Sequence, residues 1–245
     1  MHRIVVINAK GGSGKTTLAT NLAACYASRG NHPALLDFDV QGSTMNWLSL
    51  RAKNKPPIHG VNACKHDSGM TRSWQMRLPT TVDRVVIDTP SAITGPDLVE
   101  YVRQANIIII PVLPSPIDIH AVTNFIKDIL LLGKMRTIVA ANDLNQRSTR
   151  IGVVANRVQD NTRVYKPLFQ FLASLNVPFV TALRDSQYYM HAFMDGVGVH
   201  ELQHAPTQPV CKEWQQLLDW IEESQPLPHH PSTSSRNRFE QKYNF

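Results

Sequence analysis

Cysteine is scarce and scattered. Cys25, Cys64 and Cys211 are the only three, far apart, odd in number and without a Cys-x-x-Cys pair. That pattern excludes a disulfide framework or a zinc knuckle, and it denies the chain the paired thiolates of a metal-cluster carrier. Long hydrophobic runs are missing too: Ile107 to Val112 and Ile129 to Leu132 fall far short of a membrane span. The opening Arg3-Ile-Val-Val-Ile-Asn8 lacks the charged and apolar regions of a signal peptide. A soluble protein of a reducing cytoplasm is expected.

Acidic residues are in deficit, 19 against 25 Lys and Arg, a formal charge of +6 that favours polyanionic partners. Seven of the basic residues lie between 134 and 170 (Lys134, Arg136, Arg147, Arg150, Arg157, Arg163, Lys166) against only Asp143 and Asp160, so that segment is the expected electropositive face.

What is present is enough for a core, with 42% hydrophobic residues in 245. One domain is expected over 1–224. Residues 225–245, rich in Pro, His, Ser and Asn, read as a disordered tail. Short β-branched runs at Ile4 to Ile7, Ala34 to Leu36, Val85 to Ile87, Ile107 to Val112, Ile151 to Ala155 and Phe179 to Thr181 read as buried parallel strands. Helical patterns lie between them, notably Lys15 to Ser28, Pro116 to Leu132 and Thr162 to Leu175. The alternation predicts an α/β fold, a doubly wound, mostly parallel sheet flanked by helices. Asn142 to Arg150 reads as a surface loop. Trp214, Leu217, Leu218 and Ile221 stand at helical spacing, a stripe better explained by core packing than by membrane binding.

Between the first strand and the first helix stands Lys10-Gly-Gly-Ser-Gly-Lys-Thr-Thr17, the context that makes a phosphate-binding loop credible. Gly11, Gly12 and Gly14 let backbone N–H groups converge on phosphate oxygens, aided by the positive end of the following helix. Lys15 is expected to hold the β- and γ-phosphates of ATP, and the Thr16 hydroxyl to complete a Mg²⁺ shell. The remaining nucleotide contacts are expected from Ser13 and Thr17. Lys10 adds a second cation, costly unless a strongly negative ligand lies nearby.

The loop resembles the deviant Walker A box of the ParA/MinD ATPases. In that family the first lysine crosses a nucleotide sandwich dimer to the partner's phosphates, which the resemblance implies for Lys10. Asp37-Phe-Asp-Val-Gln-Gly-Ser43 resembles the family's first switch. It implies that Asp39 orients the attacking water and that Asp37 supports Mg²⁺ and the loop, with Val40 standing where the family usually has proline. Arg84-Val-Val-Ile-Asp-Thr-Pro90 resembles its second switch, with Asp88 reaching Mg²⁺. Val153-Val-Ala-Asn-Arg157 is similar to the strand end that contacts adenine, making Asn156 a candidate base reader, although a plain strand-terminal Asn fits nearly as well.

The resemblance covers Lys10 to about Leu202 and implies an ATPase that dimerises with ATP and binds nucleoid DNA without sequence preference. A ParB-like or McdB-like adaptor on a cargo would then stimulate hydrolysis. Arg163, Lys166 and Arg184 are the foremost DNA candidates, with Arg147 and Arg150 next. The Val112 to Ile119 segment resembles a stand-alone ParA-like subgroup, which leaves the cargo open between a partition complex and a protein body such as a carboxysome. The end of the chain, Arg236 to Phe245, is too short and too weakly amphipathic for a MinD-like membrane helix. A metabolic enzyme on the same fold is the other alternative, and no substrate pocket for it is legible.

Overall fold

The β-branched runs are buried on both faces, as the strands of a parallel sheet covered by helices must be. The computed structural model describes residues 1–64, 77–93, 95–139, 149–159, 166–202 and 208–223, the side chains of 133–139, 166, 167 and 208 excepted. The strands are β1 (His2–Val6), β2 (Pro33–Asp37), β3 (His59–Asn62), β4 (Arg84–Asp88), β5 (Ile107–Val112), β6 (Arg150–Val158) and β7 (Phe179–Arg184). They stand in the order β3-β2-β4-β1-β5-β6-β7 with every pairing parallel. The helices are α1 (Lys15–Ser28), α2 (Ser43–Leu50), α3 (Gly95–Gln104), α4 (Pro116–Val139), α5 (Lys166–Ser174), α6 (Tyr188–Met194) and α7 (Gln208–Glu222), with a 3-10 turn at Val199–Glu201.

The two-residue period of a strand divides the core. Ile4, Val6, Leu35, Val86 and Ile109 pack with α1, Trp47 and α7, whereas Val5, Ile7, Leu36, Ile87 and Ile110 pack with α3 and α4. The Trp214, Leu217, Leu218 and Ile221 stripe of α7 is buried in the first of these layers. The expected doubly wound parallel sheet is therefore present. Four elements were not legible: β3, α2, α3 and α6. Strand β3 runs along an edge with only Val61 buried, so it carries no apolar run. Among the described residues no helix is long and apolar enough to cross a membrane.

Chain order places the site. From β1 the chain moves out to β2 on one side of the sheet, and from β4 it crosses over β1 to β5 on the other. The carboxyl ends of β1, β4 and β5 therefore flank a crevice at the point where the winding reverses, the usual ligand position in such sheets.

Candidate nucleotide site

Asn8 ties the loop after β1 to the sheet. Its buried Nδ2 donates to the Pro111 carbonyl of β5 at 2.6 Å, and its Oδ1 accepts the Lys10 N–H at 2.9 Å. Gly14 follows at φ 94°, and a Cβ there would meet Asn156 Nδ2 at 2.0 Å. Glycine is required on both counts. Asn156, only 4% exposed, donates that Nδ2 to the Ser13 carbonyl at 2.9 Å. In this structure the amide expected to read adenine lies beneath the loop and supports it from below.

Lys15 is buried at the start of α1, its Nζ 3.3 Å from the Lys10 carbonyl. Burial draws its pKa down, while Asp88 and Asp39 act against that. Asp88, at the end of β4, is 1% exposed. Its Oδ2 accepts two hydroxyls, Thr16 at 2.7 Å and Thr44 at 2.6 Å, and its Oδ1 is buried with no partner among the described residues. Burial lifts its pKa to about 6, over the opposing effect of the two hydroxyls. An orphaned carboxylate oxygen beside a threonine hydroxyl is a donor set that fits a hard divalent cation such as Mg²⁺. Ser13 Oγ, also buried without a partner, and the open, exposed Gly11 and Gly12 fit a phosphate group above the loop.

The state of Asp88 predicts an unusual stability profile. Its pKa is raised in the fold, so above about pH 6 its charge opposes folding when no cation is bound. Below that pH the folded protein takes up the proton and the penalty lifts. In nucleotide-free, metal-free buffer at pH 8, Asp88→Asn is expected to be more stable than the parent by about 1–3 kcal/mol. The gap should shrink as the pH falls through about 6 and close only near pH 4, at the ordinary carboxylate value. Urea denaturation at these two extremes of pH measures it, and a gap of unchanged size at both would contradict the assigned charge state.

Asp37, at the end of β2, uses both oxygens on the following loop. Oδ1 accepts the Asp39 N–H at 3.0 Å and Oδ2 the Met45 N–H at 3.1 Å. Burial raises its pKa against the pull of those N–H groups. Its observed contacts are thus those of a loop organiser. Asp39 is half-buried, accepts the Gln41 N–H at 3.0 Å, and contributes to the field at Lys15.

Lys10 holds a partner that sequence reading did not single out. Its Nζ lies 2.5 Å from Asp118 Oδ1, with the lysine side chain 40% exposed. Asp118 stands in the first turn of α4, where its other oxygen pairs with the Ser115 hydroxyl and its N–H donates to Ser115 Oγ at 3.1 Å. Burial works against its ionisation, but the Lys10 and Ser115 bonds prevail and bring its pKa below the ordinary carboxylate value. The signal was available: Ser115-x-x-Asp118 is a capping pattern at the start of α4, the helix that follows β5 beside the loop.

The five expected DNA residues do not form one described cluster. Arg147 and Arg163 lie outside the described residues, and Lys166 opens α5 with its side chain not described. Arg184 ends β7, half exposed, with its guanidinium 2.7 Å from Glu213. Arg150 requires correction. It starts β6, at the opposite end of the strands, about 25 Å along the strand direction from the end that carries Arg184. Its guanidinium donates to the Trp220, Ile221 and Glu223 carbonyls and stacks on Trp220, capping the last turn of α7.

The family profile of the CobQ/CobB/MinD/ParA nucleotide binding domain matches residues 4–197. The chain is 28% identical over 219 residues to the maintenance of carboxysome distribution protein A of Halothiobacillus neapolitanus, covering 89% of this chain and 95% of that one. Among solved structures, apo McdA of Cyanothece superposes with a TM-score of 0.66 at 16% identity, covering 89% of this chain and 98% of that one. The MinD cell division protein of Aquifex aeolicus does so with a TM-score of 0.60 at 17% identity, covering 94% and 100%. At such identities the two structures speak for the fold alone.

Proposed function

The chain belongs to the CobQ/CobB/MinD/ParA nucleotide-binding family, and from that premise we propose that it is an ATPase that dimerises with ATP, grips nucleoid DNA and positions a cargo. The observation that carries this reading is the convergence on one crevice of Lys10, Lys15, Thr16, Asp39 and Asp88, from the carboxyl ends of three strands.

Gly11, Gly12, Ser13, Gly14 and Thr17 would present donors to the phosphates of ATP, and Lys15 would neutralise their charge. Thr16 and Asp88 would hold Mg²⁺, with Asp37 keeping the neighbouring loop in place. When bound, Mg²⁺ offsets the charge on the phosphoryl oxygens. Asp39 orients the attacking water. Lys10 leaves Asp118 and reaches the nucleotide of a second copy, so the ion pair seen here belongs to the unpaired state. Asn156 acts first on the loop from beneath, and a contact with adenine would require its amide to leave Ser13.

The relative in Halothiobacillus is named for carboxysome distribution, which favours a protein cargo and an McdB-like adaptor over a partition complex with a ParB-like one. DNA contact rests on Arg184 together with Arg147, Arg163 and Lys166, and a nucleoid-associated location follows from it. Phosphate contacts made by such side chains carry no sequence information and weaken as salt rises. Retention on a random-sequence duplex is therefore expected to require ATP and to fall by about tenfold or more between 50 and 200 mM salt. Equal retention of nucleotide-free protein would overturn the nucleotide-gated grip.

A further inference from the structure

Beside the residues that the family resemblance picks out, Asp88 holds a second hydroxyl, from the helix that follows β2. Thr44 is fully buried, and its Oγ1 donates at 2.6 Å to the same oxygen that accepts Thr16. It sits in the first turn of α2, directly after the turn formed by Asp39 to Gly42, in which the Gly42 N–H donates to the Asp39 carbonyl at 2.9 Å. The N-cap position of α2 is Gly42, which supplies no side-chain cap. Asp37 takes that part from a neighbouring strand, through the Thr44 and Met45 N–H groups. One residue thus joins both carboxylates: its N–H meets Asp37 and its hydroxyl meets Asp88.

The far end of α2 is fixed independently. Trp47 Nε1 donates to the Val197 carbonyl at 3.3 Å, and Arg51 makes a buried two-pronged pair with Glu201, both bonds at 2.8 Å. The helix is anchored at its C-terminal end whatever happens at Asp88. Any adjustment to a cation must then fall on its first turn and on the Asp39 to Gly42 loop.

We propose that Thr44 is a positioning residue through which the Asp39 loop senses cation occupancy at Asp88. The inference rests on the nucleotide-site reading given above. With a cation held at Asp88, the Thr16 hydroxyl would turn to it and Thr44 would remain the protein hydroxyl that orients the carboxylate. Because Thr44 follows the loop without a break, holding Asp88 and ordering the Asp39 backbone are one event. A hydroxyl is required for this; the methyl group of threonine only fills the buried space.

Thr44→Val keeps the shape and removes the donor, Thr44→Ser keeps the donor, and Thr44→Ala gives a smaller hydroxyl-free variant. In the full chain, fluorescent ADP binding in EDTA should be the same for all four proteins. The Mg²⁺ concentration at half-maximal enhancement of that binding should rise about tenfold in Thr44→Val and Thr44→Ala, the loss typical of one hydrogen bond to a charged group, and stay within twofold in Thr44→Ser. Amide hydrogen exchange over residues 39–46 should slow on adding Mg²⁺ to the ADP-bound parent and serine variant, and not in the other two. Unchanged midpoints and unchanged Mg²⁺-dependent protection in Thr44→Val or Thr44→Ala would overturn the proposal while leaving the nucleotide site intact. A parent that binds no Mg²⁺-ADP would instead overturn the underlying site.

Discussion

Lys10→Ala is expected to leave the protein monomeric in ATP at concentrations where the parent is fully paired, with the dimer dissociation constant raised about a thousandfold or more. In a two-fold dimer the substitution removes two lysines, and loss of a charged anchor at the centre of an interface costs about 2 kcal/mol or more per copy. The effect on the fold should be small. The Lys10 side chain is 40% exposed and makes one described ion pair, with Asp118. Pairs of that kind contribute about 0–1 kcal/mol. Asp118 keeps Ser115 as a partner when Lys10 is removed. Light scattering in ATP alongside urea denaturation separates the two quantities. A variant that pairs normally would remove Lys10 from the interface, and one that unfolds readily would give it a structural role instead.

Asp39→Ala is expected to bind ATP and pair as the parent does, yet turn over about a hundredfold or more slowly, the usual worth of a positioned acid–base group. The substitution is clean because the loop does not depend on this carboxylate. Its backbone N–H is held by Asp37, and α2 is held by Asp37 and by Asp88 through Thr44. The one described bond lost is that to the Gln41 N–H. Single-turnover hydrolysis in the paired state measures the effect, and a rate within threefold of the parent would show that Asp39 does not position the water.

The phosphate loop and the six buried strands were legible because their signals are local. Glycine spacing sets loop geometry, and runs such as Ile107 to Val112 have one stable use, between two layers of helix. The partners of the loop were less legible, since each lies on another strand. Asn156 read as a strand end facing the nucleotide, yet the absence of a Cβ at Gly14 lets its amide slide beneath the loop. Thr44 looked like any residue after a glycine turn, and only the adjacency of β2 and β4 brings it to Asp88. Arg150 counted towards a basic segment in sequence, but a strand carries its first and last residues to opposite ends of the sheet. Charge density along the chain ignores that separation.

The central claim is that the nucleotide decides whether two copies pair. The most direct measurement is the mass of the Asp39→Ala protein in solution, by light scattering at one concentration, first with Mg²⁺-ADP and then with Mg²⁺-ATP. The slow variant keeps ATP intact during the experiment. A monomer mass in ADP and twice that mass in ATP is the predicted result. The same mass with both nucleotides would contradict it.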